Sequence, residues 1–184
     1  MGGFAAVALA TAHPERVEDV VLVDGGLPMR TRGLSPDGVR AAFSRQASRT
    51  QRTFASTDEY ADFVLPGMPL LDRDDPLLAD YLTHDLADGK VRLDPEILVA
   101  DAVDALLGPS PWESLARPTR FVFAEWSVGE GSAPAYRPEK VAEFAARLPA
   151  LRHTELVPGV DHAASIMTRR GAASVAAQLR EVLR

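Results

Sequence analysis

The residues best suited to moving a proton stand at the ends of apolar runs. His162 closes the segment Val157-Pro158-Gly159-Val160-Asp161-His162, a turn-forming loop directly after one such run. Imidazole titrates near neutrality, so a loop histidine can take a proton from an attacking group and return it to a leaving group. Such a base works with a carboxylate on its far ring nitrogen, which holds the tautomer and stabilises the imidazolium. Asp24 is the first candidate for that acid: it ends the run Val20-Val21-Leu22-Val23 and precedes Gly25 and Gly26. Glu130 and Glu125 are the alternatives, in Ala124-Glu125-Trp126-Ser127-Val128-Gly129-Glu130. Asp24 reads equally as a turn residue bonded to its own backbone, and the two glutamates as exposed loop charges. Asp161, adjacent to the histidine, reads as a turn residue.

The remaining histidines carry less. His13, in Ala12-His13-Pro14-Glu15, reads as a surface group capping the end of a helix that Pro14 stops. His84 reads as exposed, and His153 as a solvated residue at the start of a strand. None has the spacing of a metal-ligand motif, and the chain has no cysteine, so neither a disulfide nor a thiolate metal site is expected. No cofactor is implied. Trp112 and Trp126 flank the run 120–124 and read as core residues that also suit a pocket wall.

Three apolar runs must position these groups. Val20–Val23, Arg120–Ala124 and Thr154–Val157 read as parallel buried strands, since such strands are near-continuously apolar. Helices are predicted over 3–13, 137–148 and 168–183, the last packing Val175, Leu179, Val182 and Leu183 on the sheet. Alternating strand and helix argue for an α/β fold. The chain divides into a core segment 1–28, a helical cap or lid 29–115, and a second core segment 116–184. Within the cap, Ser35-Pro36, Ser56 with Glu59, and Asp94-Pro95 have the pattern of helix starts.

Composition narrows the function. The 184 residues carry a net charge of −6, against the basic footprint that nucleic acid demands. Arg40, Arg45, Arg49 and Arg52 read as one solvated helix face. No apolar run has the length of a membrane span, and the expected location is cytoplasmic. Three strands are few for this much apolar surface. An open edge at Val20–Val23 is an aggregation site, so missing N-terminal strands or self-association are expected to cover it.

Taken together, Met-Gly-Gly at 1–3 with its alanine-rich continuation, Ala-His-Pro-Glu-Arg-Val at 12–17 and Val-Leu-Val-Asp-Gly-Gly at 21–26 resemble the α/β-hydrolase superfamily in its cap-bearing branch. Arg-Pro-Thr-Arg-Phe-Val-Phe-Ala-Glu at 117–125 and Val-Pro-Gly-Val-Asp-His at 157–162 extend the resemblance. It implies the C-terminal part of an α/β-hydrolase sheet, three parallel strands with flanking helices plus a cap. The chain then starts just after the nucleophile of a Gly-x-Ser-x-Gly elbow, whose small residues let the following helix pack closely. The backbone N–H of Met1 is implied as one oxyanion-hole donor and His162 as the base. The family usually carries its acid as aspartate after the strand 120–124, where this chain has Glu125. Haloalkane dehalogenase-like members carry it after the preceding strand, which is the position of Asp24.

The function so implied is a serine-type hydrolase of a small ester, amide or related carbonyl compound. The alternatives are an enzyme with an aspartate nucleophile, like a dehalogenase or epoxide hydrolase, and a non-catalytic fragment acting as an interaction module. With no nucleophile among them, these residues on their own are expected to be inactive.

Overall fold

The structure, a computed structural model, describes residues 1–29 and 34–184, without the side chain of Arg45. In chain order its elements are α1 (Gly2–Ala12), β1 (Val20–Val23), α2 (Pro36–Ser48), α3 (Thr57–Val64) and α4 (Pro76–Asp85). There follow β2 (Leu86–Ala87), β3 (Lys90–Val91), α5 (Pro95–Leu107), β4 (Thr119–Ala124) and α6 (Pro138–Arg147). The chain ends with β5 (Leu151–Val157), α7 (Ala164–Met167) and α8 (Arg169–Val182). They form two compact units, Met1–Arg30 with Ser110–Arg184, and Thr31–Pro109.

The first unit is a parallel sheet in the order β1-β4-β5. Leu22 pairs with Phe121 and Phe121 with Thr154, so β4 is central. Its Arg-Phe-Val-Phe-Ala run suits a strand covered on both faces, and Phe121 and Val122 are fully buried. Burying a side chain such as Phe121 contributes about 1.5–3 kcal/mol. Tyr136 meets Phe121 edge-on at 4.9 Å between ring centroids, and Trp112 meets Phe144 likewise at 5.1 Å. Trp112 is therefore a core residue. Val141, Phe144 and Leu148, spaced three and four apart, turn one face of α6 into this core.

Two sequence expectations need correction here. β5 begins at Leu151, three residues earlier than predicted, because polar Arg152 and His153 suit an edge strand that is half exposed. In α8, Leu179 and Leu183 are exposed rather than packed on the sheet, and Gln178 is buried instead. Gln178 accepts from Arg120 Nη1 at 2.9 Å and donates to Glu155 Oε2 at 2.7 Å, so polar bonds set the orientation of this helix face.

The second unit is built mainly of α2–α5. Ser35 accepts from Gly38 N, Ser56 from Glu59 N, and Asp94 from Glu96 N and Ile97 N, so each predicted start is a side-chain cap. Glu59 reaches past Ser56 to Ala55 N, a shifted capping box. The insertion is not wholly helical: β2 and β3 form an antiparallel hairpin across Asp88-Gly89, both at positive φ. Asp-Gly is the dipeptide that such a two-residue turn favours. The arginine stretch is not one solvated face either. Arg49 is largely buried, and its guanidinium donates to the Tyr60 hydroxyl at 2.8 Å and lies 3.3 Å from Asp85 Oδ2. Arg52 stacks over Phe54 and Phe63, Arg40 is exposed, and the Arg45 side chain lies outside the described residues.

Candidate active site

The carboxyl ends of β1, β4 and β5 carry the loops that hold the candidate residues, as expected for a ligand site in an open α/β sheet. Asp24 directly follows β1. Its N–H donates to the Val122 carbonyl at 2.8 Å, extending the β1–β4 ladder by one bond. Its φ of 43° is left-handed, which aspartate tolerates better than most residues. The turn delivers the carboxylate into the interior, where Asp24 is 2% exposed.

That carboxylate has two bonds. Oδ1 accepts from Ala124 N at 3.1 Å, and Oδ2 lies 2.7 Å from His162 Nδ1. A carboxylate oxygen accepts, so the neutral ring carries its hydrogen on Nδ1 and keeps a lone pair on Nε2. The His162 side chain is 61% exposed while its acid partner is buried. Among the described residues no side chain hydrogen-bonds Nε2. The pair thus fixes the orientation of an exposed imidazole whose Nε2 no described side chain occupies.

The other acid candidates lie elsewhere. Glu125 Oε2 accepts from Gly159 N at 2.7 Å, and Glu130 is exposed. Met1 caps the start of α1, its carbonyl accepting from Phe4 N at 2.9 Å and Ala5 N at 3.3 Å. Gly3 packs against the Gly25–Gly26 backbone, which sets the first turn of α1 beside the Asp24 turn. Trp126 is half-buried, and its backbone N–H donates to Val160 O at 3.2 Å. His13 and His84 are exposed; His153, by contrast, is half-buried with its Nε2 covered, 3.7 Å from Glu155. No group of three or more potential metal ligands occurs among the described residues. Nor is any described helix long and apolar enough to cross a membrane.

Two residues that support the site were not singled out for it in the sequence. Asp161 is 1% exposed and bonds backbone groups of two loops. Tyr136 donates its hydroxyl to Leu27 O at 2.7 Å, beneath the turn that follows Asp24. Burial, and then the charge of Asp24, push this phenol well above the ordinary tyrosine range. Asp161 was legible only as one residue in a turn, and Tyr136 carried no local signal.

This arrangement of sheet, helices and loops is the α/β-hydrolase fold. Over 100% of its length the chain superposes on 64% of E-2-(acetamidomethylene)succinate hydrolase, with a TM-score of 0.70 and 16% identity. It covers 59% of an esterase of Mycobacterium tuberculosis, with 98% of its own length, a TM-score of 0.59 and 22% identity. It likewise covers 51% of the peroxisomal α/β-hydrolase Lpx1 of Saccharomyces cerevisiae, again with 98% of its own length, at a TM-score of 0.66 and 14% identity. The chain therefore spans between half and two thirds of the length of these structures. No protein-family model matches it, and no curated protein does.

Proposed function

We propose that these residues supply the acid–base part of a serine-type hydrolase acting on a small ester, amide or related carbonyl compound. The observation that carries this reading is the His162–Asp24 pair, with a buried carboxylate 2.7 Å from Nδ1 and the opposite ring nitrogen open. In the mechanism, Nε2 takes the proton of a serine hydroxyl as its oxygen attacks the carbonyl carbon. Asp24 stabilises the imidazolium so formed. The tetrahedral intermediate collapses as His162 returns the proton to the leaving group, giving an acyl-enzyme. Water then repeats the cycle, with His162 again as base, and releases the acid. General acid–base catalysis of this type accounts for about 10²–10⁴ in rate.

In the elbow pattern the nucleophile immediately precedes Met1, and the Met1 N–H donates to the oxyanion. Asp24 at the end of β1 also suits an aspartate nucleophile, with His162 activating water against an alkyl-enzyme ester. The codon before that of Met1, read in frame, separates the two.

The test is hydrolysis of p-nitrophenyl butyrate by two polypeptides: the 184 residues alone, and the gene product translated through the codons upstream of Met1. The longer polypeptide is expected to turn over the ester, and the shorter not. His162-dependent turnover by the 184 residues alone contradicts the placement of the nucleophile. A longer polypeptide whose turnover survives His162→Ala contradicts the function.

A further inference from the structure

We propose that Asp161 is the positioning residue that holds His162 in register with Asp24. Its carboxylate ties the loop that carries His162 to the loop after β4, the strand whose last residue, Ala124, donates its N–H to Asp24 Oδ1, so the clamp holds Nδ1 facing the acid. This rests on the reading of His162 as the base, and adds to it a residue that does not touch the ring's bonding nitrogens.

The chain between β5 and α7 is short, exposed at His162, and has no regular structure to fix it. What fixes it is a set of bonds to the loop after β4. Asp161 Oδ2 accepts from Gly129 N at 2.7 Å, and Asp161 Oδ1 accepts from Ala164 N at 2.8 Å. The first bond reaches across to the neighbouring loop, and the second caps the turn in which His162 stands. Around them, Trp126 N donates to Val160 O at 3.2 Å and Glu125 Oε2 accepts from Gly159 N at 2.7 Å. Gly129 and Gly159 have φ near +70°, which turns their N–H groups into the clamp at little conformational cost. Asp161 is almost wholly buried, so the bonds of its carboxylate are not exchanged for water.

The two acidic residues of the clamp differ in what they need. Asp161 uses both oxygens as acceptors, one for each N–H. An asparagine has only one acceptor and turns an NH2 against the other N–H, so the amide cannot reproduce the bridge. Glu125 uses one oxygen, and a glutamine can do the same. The chemistry therefore separates a residue that must be a carboxylate from one that need only accept.

The experiment is nitrogen-15 NMR of the 184-residue chain near pH 8, reading the His162 tautomer and amide exchange, in Asp161→Asn, Glu125→Gln and Asp24→Asn. The expected wild type holds His162 mainly as the Nδ1–H form, with slow exchange at Gly129 and Ala164. Asp161→Asn is expected to mix the two tautomers and to speed exchange at Gly129 or Ala164 at least tenfold, and Glu125→Gln to change neither. An unchanged tautomer in Asp161→Asn, with that of Asp24→Asn altered, overturns the positioning role alone. An unchanged tautomer in Asp24→Asn overturns the reading of the base on which it rests. Should Asp161→Asn not fold, exchange in the wild type decides: fast exchange at both Gly129 and Ala164 overturns the clamp, and protection of both supports it.

Discussion

Gly3 and Gly26 meet backbone to backbone. A Cβ on Gly3 would stand 2.5 Å from the Gly25 carbonyl oxygen, and one on Gly26 would stand 2.8 Å from the Gly3 carbonyl oxygen. The first turn of α1 thereby lies against the turn that carries Asp24, closer than any side chain permits. Gly26 also has φ +101°, a conformation that L side chains rarely adopt. Gly3→Ala is expected to destabilise by about 1–3 kcal/mol through overpacking. Gly26→Ala adds backbone strain of about 1–3 kcal/mol. Gly2 is the control: nothing lies within 4 Å of its Cβ position, so Gly2→Ala should be neutral or slightly stabilising. Urea unfolding measures all three, and a Gly26→Ala midpoint equal to that of the wild type would refute the close packing.

Tyr136 ties the same turn from below. Tyr136→Phe leaves the carbonyl of fully buried Leu27 without its partner, an expected loss of about 1–3 kcal/mol. Burial raises this phenol, so its neutral form is favoured in the folded state. The corresponding stability is fully present below the unfolded tyrosine value, about pH 10, and is lost as pH rises through the higher folded value. In the native protein, absorbance at 295 nm should show Tyr136 and Tyr60 still un-ionised at pH 11. Two or more of the three tyrosines titrating below that pH, with the fold intact, contradicts their burial.

Tyr60 belongs to a second polar cluster. Its hydroxyl donates to Asp85, and Arg49 contacts both. Burial first, and the bond to Asp85 next, raise this phenol too, against the opposing charge of Arg49. Asp85→Ala leaves a largely buried guanidinium without its counter-charge, held by the Tyr60 hydroxyl alone and with an Nε that already has no hydrogen-bond partner. Removing one partner of a buried ion pair costs about 3–5 kcal/mol. Circular dichroism during urea unfolding is expected to show that loss; a change below about 1 kcal/mol, the scale of an exposed pair, contradicts it.

The strands were legible because buried parallel strands are apolar whatever surrounds them, as in Val20–Val23 and Phe121–Ala124. His162 and Asp24 were legible as candidates because each follows such a strand. Their pairing was not, since 138 residues separate them and only the folded loops bring Nδ1 to Oδ2. Glu125 and Glu130 had equally good sequence positions, but Glu125 reaches a backbone N–H of the β5 loop and Glu130 faces solvent. The Asp88-Gly89 hairpin escaped because two residues per strand leave no alternation to read. Gln178 escaped because its partners, Arg120 and Glu155, come from two different strands.

Asp24→Asn separates charge from geometry. Asparagine accepts the left-handed φ and can still bond one neighbour, so the fold should hold. By the logic of the triad, loss of the carboxylate lets His162 take the wrong tautomer and lowers kcat of the full-length gene product by about 10⁴. A loss of only a few-fold, or an equal loss in stability, assigns Asp24 a structural role instead.

The most direct measurement is kcat/KM for p-nitrophenyl butyrate with the full-length gene product, compared with its His162→Ala variant at equal folded concentration. A fall of about 10³-fold or more is expected when the base is removed. Equal rates for the two proteins contradict the assignment of His162 as the catalytic base.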